Sequence, residues 1–227
     1  MRKLILFLFT TIFLSTYSFG QNELELYKRI YKTADSLKAI GQISAIDTTS
    51  LFTKAKLLDK KHPSGFFETS GEFLAQSKFN EAAFVFYLGL MRFRYYNSAN
   101  PDYQASGDGA LLGSLKYVFG EPINMYLRTD IDNFIFIIKL TVSYYSNNDF
   151  KFFSKDKNEE KFNAQIKSYN DLLVELESNK EKYKEQWATE RKTMEENIDK
   201  MIVEQKNSNE ENGKTKENKK KKKKKKK

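Results

Sequence analysis

The amino-acid sequence predicts an all-α protein, and three observations support that class. Only three prolines interrupt 227 residues. Long stretches are rich in Leu, Lys and Glu, which favour helices. Apolar residues recur every three or four positions, which places them on one face of a helix. We therefore expect helical hairpins around a buried central helix, followed by a long C-terminal helix and a disordered basic tail.

The N-terminus has the pattern of a signal peptide. Arg2 and Lys3 precede an apolar run at 4–14, and Gly20 precedes Gln21, the predicted new N-terminus. The alternative is a membrane anchor, but the run is shorter than the roughly 20 apolar residues that span a bilayer. We expect cleavage after residue 20, export to the periplasm, the envelope or the extracellular space, and no transmembrane segment in the mature chain.

The net charge is concentrated at the C-terminus. The chain has 39 basic and 30 acidic side chains, and nine lysines at Lys219 to Lys227 supply the whole excess of +9. Such a run would contact polyanions in a salt-dependent way. It lacks the interleaved aromatic residues that stack on bases, so specific nucleic-acid binding is not predicted. We expect the run to be an inert solubilising tip or an accident of an adenine-rich coding tract, and a segment that contacts polyanions is the alternative.

The residues for common catalytic and metal sites are scarce. The chain has no cysteine and one histidine, His62, so disulfides, thiol chemistry and transition-metal sites are not expected. The sequence contains no phosphate-binding or nucleophile-elbow motif. Asp102 and Asp108 do not have the spacing of a calcium loop. We expect no cofactor, and an enzyme with a dispersed carboxylate site stays open as an alternative.

The first half of the predicted body contains four helices. Residues 24–40 and 48–60 have apolar residues at helical spacing, with Gly41 as a natural end and Asp47, Thr48 and Thr49 as candidate N-caps. Two more are predicted at 66–77 and 81–96, with Asn80 as the cap of the second. All ten residues from 82 to 91 are apolar or glycine, which predicts the buried central helix.

The turn between the third and fourth helices resembles the join in a tetratricopeptide repeat. Phe79, Glu81 and Ala82 occupy the motif positions at the turn, and Phe86 and Gly89 the later packing positions. The sequence departs from the pattern at residues 70 and 94, and it has no second copy at the repeat's period of about 34 residues. The resemblance implies a helical hairpin.

The second half of the body begins with a polar loop at 97–109. Asp108 is a candidate cap for a helix over 109–119, which Gly120 would end, and Pro122 would start a short helix. Asp130 or Asp132 would then cap residues 133–145. Their β-branched and aromatic content would also suit a strand, but we expect a helix because of the caps and the helical neighbours.

The C-terminal third is predicted to be a long charged helix over 159–204. Its first part has an apolar seam at heptad spacing, and residues 178–180 are expected to bend or break it. Packing against a body at 21–158 is the expected role of the seam, and a dimerising or partner-binding coiled coil is the alternative. Residues 205–227 contain nothing to bury and are predicted to be disordered.

Two arginines near the end of the central helix are candidate functional residues. Arg92 and Arg94 point in different directions and lie among aromatic residues, so at least one meets apolar surface. We expect an internal ion pair, to Asp130 or Asp132. The alternative is a pocket for an anionic ligand, bordered by aromatic residues and the 97–109 loop, or a protein interface. The candidate ligand or interface residues are Arg92, Arg94, Tyr95, Asp108 and Asn124.

The segments "FVFYLGLMRFRYY", "GDGALLGSLKYVFGEPIN" and "DIDNF" carry a second resemblance, over residues 79–134. They are similar to a family of small exported bacterial proteins that share an aromatic helix ending in R-x-R and a G-x-[PS]-I-N segment. The resemblance implies a helical, non-enzymatic bacterial protein. We therefore expect an exported binding module that holds a protein partner, in the manner of an immunity or inhibitor protein. A structural envelope tether that uses the long helix and the lysine run is the alternative.

Overall fold

The computed structural model describes residues 24–224, with only the backbone for 205, 206 and 208–224. This part of the chain contains eight α-helices and no strand, so the predicted all-α class is confirmed. A π-helical turn at Ala105–Gly109 precedes the fifth helix, and a 3-10 turn at Lys155–Lys157 precedes the seventh. The helices are α1 (24–39), α2 (Thr48–Leu58), α3 (Ser64–Ala75), α4 (Phe79–Ala99), α5 (Ala110–Leu127), α6 (Ile131–Asn147), α7 (Glu159–Ser178) and α8 (Lys180–Lys224).

The described chain forms two compact units. Residues 29–188 form the first, which we call the body. The second consists of residues 24–28 and 189–224, where Lys28 and Asp199 form an ion pair at 2.8 Å. The domain boundaries expected from the sequence, at residues 158 and 204, stay predictions.

The ends of α1 and α2 follow from two local signals. Gly41 has a φ of +67°, and the N–H of Gln42 donates to the carbonyl of Leu37 at 2.8 Å, which closes the last turn of α1. At the start of α2, the Asp47 carboxylate accepts the N–H of Ser50 at 3.1 Å. Both predicted ends are confirmed.

Helix α4 is the buried centre of the body, as predicted. Every residue from 82 to 93 is buried, and α3, α5, α6 and α7 all pack against the helix. It pairs with α3 as a helical hairpin. A Cβ on Gly89 would lie 2.6 Å from the Cβ of Phe66, so the two helices approach too closely there for any side chain. The hydroxyl of Ser70 also donates to the carbonyl of Ala82 at 2.9 Å.

The predicted role of Asn80 as an N-cap is wrong. Lys78 is the N-cap of α4, and Asn80 lies inside the first turn. The Asn80 amide donates to the carbonyls of Ile43 and Ala45, and its oxygen accepts from Asn133 of α6 at 2.9 Å. Because its hydrogen bonds go to the α1–α2 loop and to α6, Asn80 holds three segments together.

Helix α5 is longer than predicted. Gly120 does not end a helix and Pro122 does not start one, because both lie within α5. A Cβ on Gly120 would lie 3.4 Å from the Phe86 ring, so this glycine belongs to the contact with α4. Pro122 removes one backbone hydrogen bond, to the carbonyl of Val118. Packing of α5 on α3 and α4 offsets that loss.

Residues 133–145 are helical, as expected, and form most of α6. Asp130 is the N-cap, and its carboxylate accepts the N–H of Asn133 at 3.0 Å. The expected break after residue 177 is also confirmed, since α7 ends at Ser178 and α8 begins at Lys180. The seam of α7 packs against α4 and α6, with four buried residues: Phe162, Tyr169, Leu173 and Leu176.

The only tryptophan lies at the start of α8, within the body. The Trp187 ring stacks on Tyr183 with centroids 5.0 Å apart and lies 5.9 Å from the ring of Phe134 in α6. It is buried. This contact orders the first turns of α8.

The rest of α8 is traced to Lys224, through most of the segment that the sequence predicts to be disordered. A run of like charges is a poor source of helix stability, so we keep disorder of this segment as a prediction. The predicted signal peptide at 1–20 and the last three lysines lie outside the described residues. Among residues 24–224, no helix has both the length and the apolarity that crossing a bilayer requires.

Candidate functional site

Arg92 forms a buried ion pair inside the body. Its Nε donates to Oδ1 of Asp59 at 2.9 Å, and Nη2 donates to the carbonyl of Asn148 at 2.8 Å. Arg92 is fully buried. The predicted internal ion pair is therefore confirmed, but the predicted partner is wrong. Asp130 and Asp132 pair with lysines of α1 and α8 instead.

Aromatic rings surround the pair. The guanidinium carbon of Arg92 lies 4.5 Å from the ring centroid of Tyr145 and 5.3 Å from that of Phe150. The hydroxyl of Tyr144 donates to the second oxygen of Asp59 at 2.9 Å. Burial raises the pKa of the Asp59 carboxyl, and the charge of Arg92 opposes that rise. This arginine is enclosed by the fold and has a structural role.

The sequence contained a signal for Asp59 that our reading missed. Asp59 follows the buried residues Leu51 and Ala55 at intervals of four, so it continues the apolar face of α2. A carboxylate on such a face requires a cationic partner. Tyr95 has a structural role too: it is fully buried, and its hydroxyl donates to the carbonyl of Ser154 at 2.7 Å.

Arg94 faces the other side of α4 and lines a cavity of about 390 Å³ between α4, α5 and α7. Asn124 lines the same cavity, so the structure brings two of the five candidate residues together. The 97–109 loop, which the sequence reading placed at the border, does not line it. The lining residues are Phe86, Tyr87, Leu90, Arg94, Lys116, Gly120, Asn124, Ser168, Tyr169 and Leu172.

Helical spacing explains the α5 side of this cavity. Lys116, Gly120 and Asn124 recur at intervals of four, so they lie on one face of the helix. Gly120 adds no side chain there, which leaves space in front of the Phe86 ring. Our sequence reading named Asn124 but missed Lys116, although that spacing was visible in the sequence.

The polar groups of the cavity are mainly hydrogen-bond donors. The hydroxyl of Tyr87 donates to Oδ1 of Asn124 at 2.7 Å, so the Asn124 NH₂ keeps its own donor hydrogens. Nη1 of Arg94 donates to the hydroxyl of Tyr169 at 3.4 Å. Burial raises the pKa of Tyr169 to about 12, so this phenol keeps its proton at neutral pH. None of the described lining residues is acidic.

Asp108 lies in a separate polar set. It does not cap α5, whose N-cap is Gly109 with no side-chain hydrogen bond. Its Oδ1 lies 3.3 Å from Nε2 of His62, and Nδ1 of His62 lies 2.9 Å from Oγ of Ser64. Asp108 contacts His62 and does not cap α5 because it lies in the π-helical turn at Ala105–Gly109, which directs it toward the start of α3.

This Ser–His–Asp set does not have the geometry of a hydrolase site. Nδ1 of His62 also accepts the backbone N–H of Ser64 at 3.3 Å, so the imidazole caps α3. The next two N–H groups, of Gly65 and Phe66, donate to carbonyls of the turn. They are therefore not free to stabilise an oxyanion. The Nδ1 contacts are those of a structural cap, and the contact of Nε2 with Asp108 is a half-buried polar pair.

The first half of α5 exposes apolar side chains. Tyr117 is 86% exposed, Val118 55% and Leu111 40%. Leu111 and Val118, seven residues apart, lie on one side of the helix, and Tyr117 lies about a quarter of a turn further round. A Cβ on Gly113 would meet no atom within 4 Å. We call Leu111, Tyr117 and Val118 the α5 stripe. Tyr117 is its member next to Lys116, which lines the cavity.

Comparisons with known proteins found no matching family model, no matching curated protein and no matching solved structure. The two family resemblances described above therefore stay expectations.

Within the described residues, no group of three or more His, Asp or Glu side chains is arranged to hold a metal ion.

Proposed function

We propose that this protein is an exported, non-catalytic binding module whose body holds a protein partner in the periplasm or envelope. The observation that carries this proposal is the α5 stripe. A tyrosine and two aliphatic residues exposed within two turns of one helix cost free energy in water unless another surface covers them. Tyrosine is also among the residues that most often anchor protein interfaces.

The partner's chemistry follows from the charge beside the stripe. Lys116 lies next to Tyr117 along α5, and Arg94 lies in the adjoining cavity. Neither cation forms an ion pair with a described carboxylate. A complementary surface has an apolar segment with an acidic residue at its edge. A toxin or hydrolase that this chain inhibits is one form of such a partner.

The partner proposal predicts a selective loss of binding when the stripe is made polar. The full mature chain, as wild type and as Tyr117→Ser or Val118→Ser, is used to capture proteins from the host envelope fraction at high salt. We expect one stoichiometric protein on the wild type, with about tenfold or greater weakening in the Tyr117→Ser variant, since interface anchors contribute about 2 kcal/mol or more. Affinity of the purified pair is then measured by calorimetry.

The matched control is Val174→Ser, which replaces a valine of α7 that is 62% exposed and lies outside the stripe. Equal weakening by this control would contradict the role of the stripe. A self-associated chain that Tyr117→Ser dissociates would assign the stripe to a second copy instead. Capture that depends on Lys219 to Lys227 and disappears at high salt would favour the envelope tether.

The export proposal rests on the pattern at 1–20 and has its own test. We expect protein recovered from the envelope or periplasmic fraction to begin at Gln21, because the small residues before it suit signal cleavage. N-terminal sequencing or intact mass measures this directly. A chain that retains Met1 in that fraction would contradict cleavage.

A further inference from the structure

We infer that the cavity between α4, α5 and α7 is a binding site for a small organic carboxylate with an aromatic or branched apolar body. This inference goes beyond the proposed protein contact and stands without it. The cavity volume of about 390 Å³ lies within the range of small-molecule sites.

The charge of the site selects an anion. Arg94 and Lys116 both line the cavity, and no described lining residue is acidic. Among the described residues, the guanidinium of Arg94 has one hydrogen bond, a long one of 3.4 Å to the neutral hydroxyl of Tyr169, which leaves its other donors available. Two cations with no partner among the described carboxylates, in a concave site, attract a negatively charged ligand.

The donors of the neutral groups point to the same ligand class. Asn124 accepts from Tyr87 and so presents its NH₂ as a donor, while Tyr169 keeps its phenolic proton. Carboxylate oxygens accept several hydrogen bonds, and the planar guanidinium matches them with two parallel N–H groups.

The apolar part of the cavity determines the body of the ligand. Phe86, Leu90 and Leu172 line it together with the rings of Tyr87 and Tyr169, which lie edge to face with centroids 6.2 Å apart. Such a surface favours a ligand with a ring or a branched chain, and its burial by that ligand contributes to the free energy of binding. Inorganic phosphate would satisfy the cations but leave this surface exposed to water.

The test titrates the full mature chain with 3-phenylpropionate, with its neutral amide, and with inorganic phosphate, by calorimetry and by NMR of the tyrosine rings. We expect saturable binding of the carboxylate and at least tenfold weaker binding of the amide and of phosphate. Arg94→Met and Lys116→Gln should each weaken carboxylate binding about tenfold to a hundredfold, because each removes a charged donor.

Lys161→Gln is the matched control, since it removes one positive charge from an exposed position of α7 that does not line the cavity. Unchanged affinity in this control supports a defined site. Equal weakening by all three variants, binding of phosphate in preference to the carboxylate, or no saturation by the carboxylate would overturn the inference. Lys116 is exposed, so its substitution tests the site even where Arg94→Met lowers stability.

Discussion

An Arg92→Met substitution is expected to lower the free energy of unfolding by about 3–5 kcal/mol at neutral pH. The variant leaves the Asp59 carboxylate buried, with the hydroxyl of Tyr144 as its one remaining side-chain partner among the described residues. Chemical denaturation measured by circular dichroism gives this difference. Arg94→Met is the comparison, because that side chain is half-buried and pairs with no described carboxylate; its loss should cost less than about 1 kcal/mol.

The cost of Arg92→Met should also depend on pH. Burial raises the pKa of Asp59 above its ordinary value of 3.8, and the positive charge of Arg92 limits the rise. A carboxyl whose folded pKa is raised contributes stability below its unfolded pKa, and this contribution is lost as pH rises through the folded pKa. Without Arg92 the folded-state pKa of Asp59 is higher still, so the free energy of unfolding of the variant falls over a wider pH range above about pH 4. The difference from wild type should be smaller at pH 4 than at pH 7.

A double variant separates the charge from the packing. Asp59→Asn alone leaves Arg92 buried without its carboxylate, and we expect a similar cost of about 3–5 kcal/mol. In Arg92→Met with Asp59→Asn, no buried charge is left unpaired, so more than half of the loss should be recovered. Additive costs in the double variant would show that the two side chains do not act as a pair.

Gly89→Ala is the second substitution with a large expected effect. The added Cβ would lie 2.6 Å from the Cβ of Phe66 and 3.3 Å from the ring of Phe67, so α3 and α4 would have to separate. Overpacking of this kind costs about 1–3 kcal/mol, against a helix-propensity gain of up to about 1 kcal/mol. We expect a net loss of stability in denaturant unfolding.

Gly113→Ala makes the same chemical change in a different environment. Gly113 is exposed inside α5, and a Cβ there would meet no atom within 4 Å. Stability should stay the same or rise by up to about 1 kcal/mol, because only the helix-propensity term remains. If both alanines raised stability, the close approach of α3 and α4 at Gly89 would be contradicted.

The sequence predicted most elements of this fold because their signals are local. The apolar run at 82–91, the caps at Asp47 and Asp130, and the break at 178–180 each depend on neighbouring residues. Predictions based on local rules were wrong where contacts distant in sequence decide the structure. Gly120 and Pro122 have the pattern of a helix end and a helix start, yet packing on α3 and α4 keeps α5 continuous.

The candidate site was predicted less well, for the same reason. Helical geometry predicted that Arg92 and Arg94 point in different directions, and they do. Spacing alone does not show which of two faces packs against other helices and which lines a cavity. The partner of Arg92 lies 33 residues away in sequence, and the cavity of Arg94 requires α5 and α7 in addition to α4. The periodicity of apolar residues in the sequence does not predict tertiary contacts of this kind.

The position of Trp187 has a practical consequence for spectroscopy. Because the chain has one tryptophan, its tryptophan fluorescence comes from a single buried indole, which lies between Phe134 of α6 and Tyr183 of α8. Loss of that contact exposes the indole to water and shifts its emission to longer wavelength. The natural protein thus carries an intrinsic, label-free reporter of whether the start of α8 is docked.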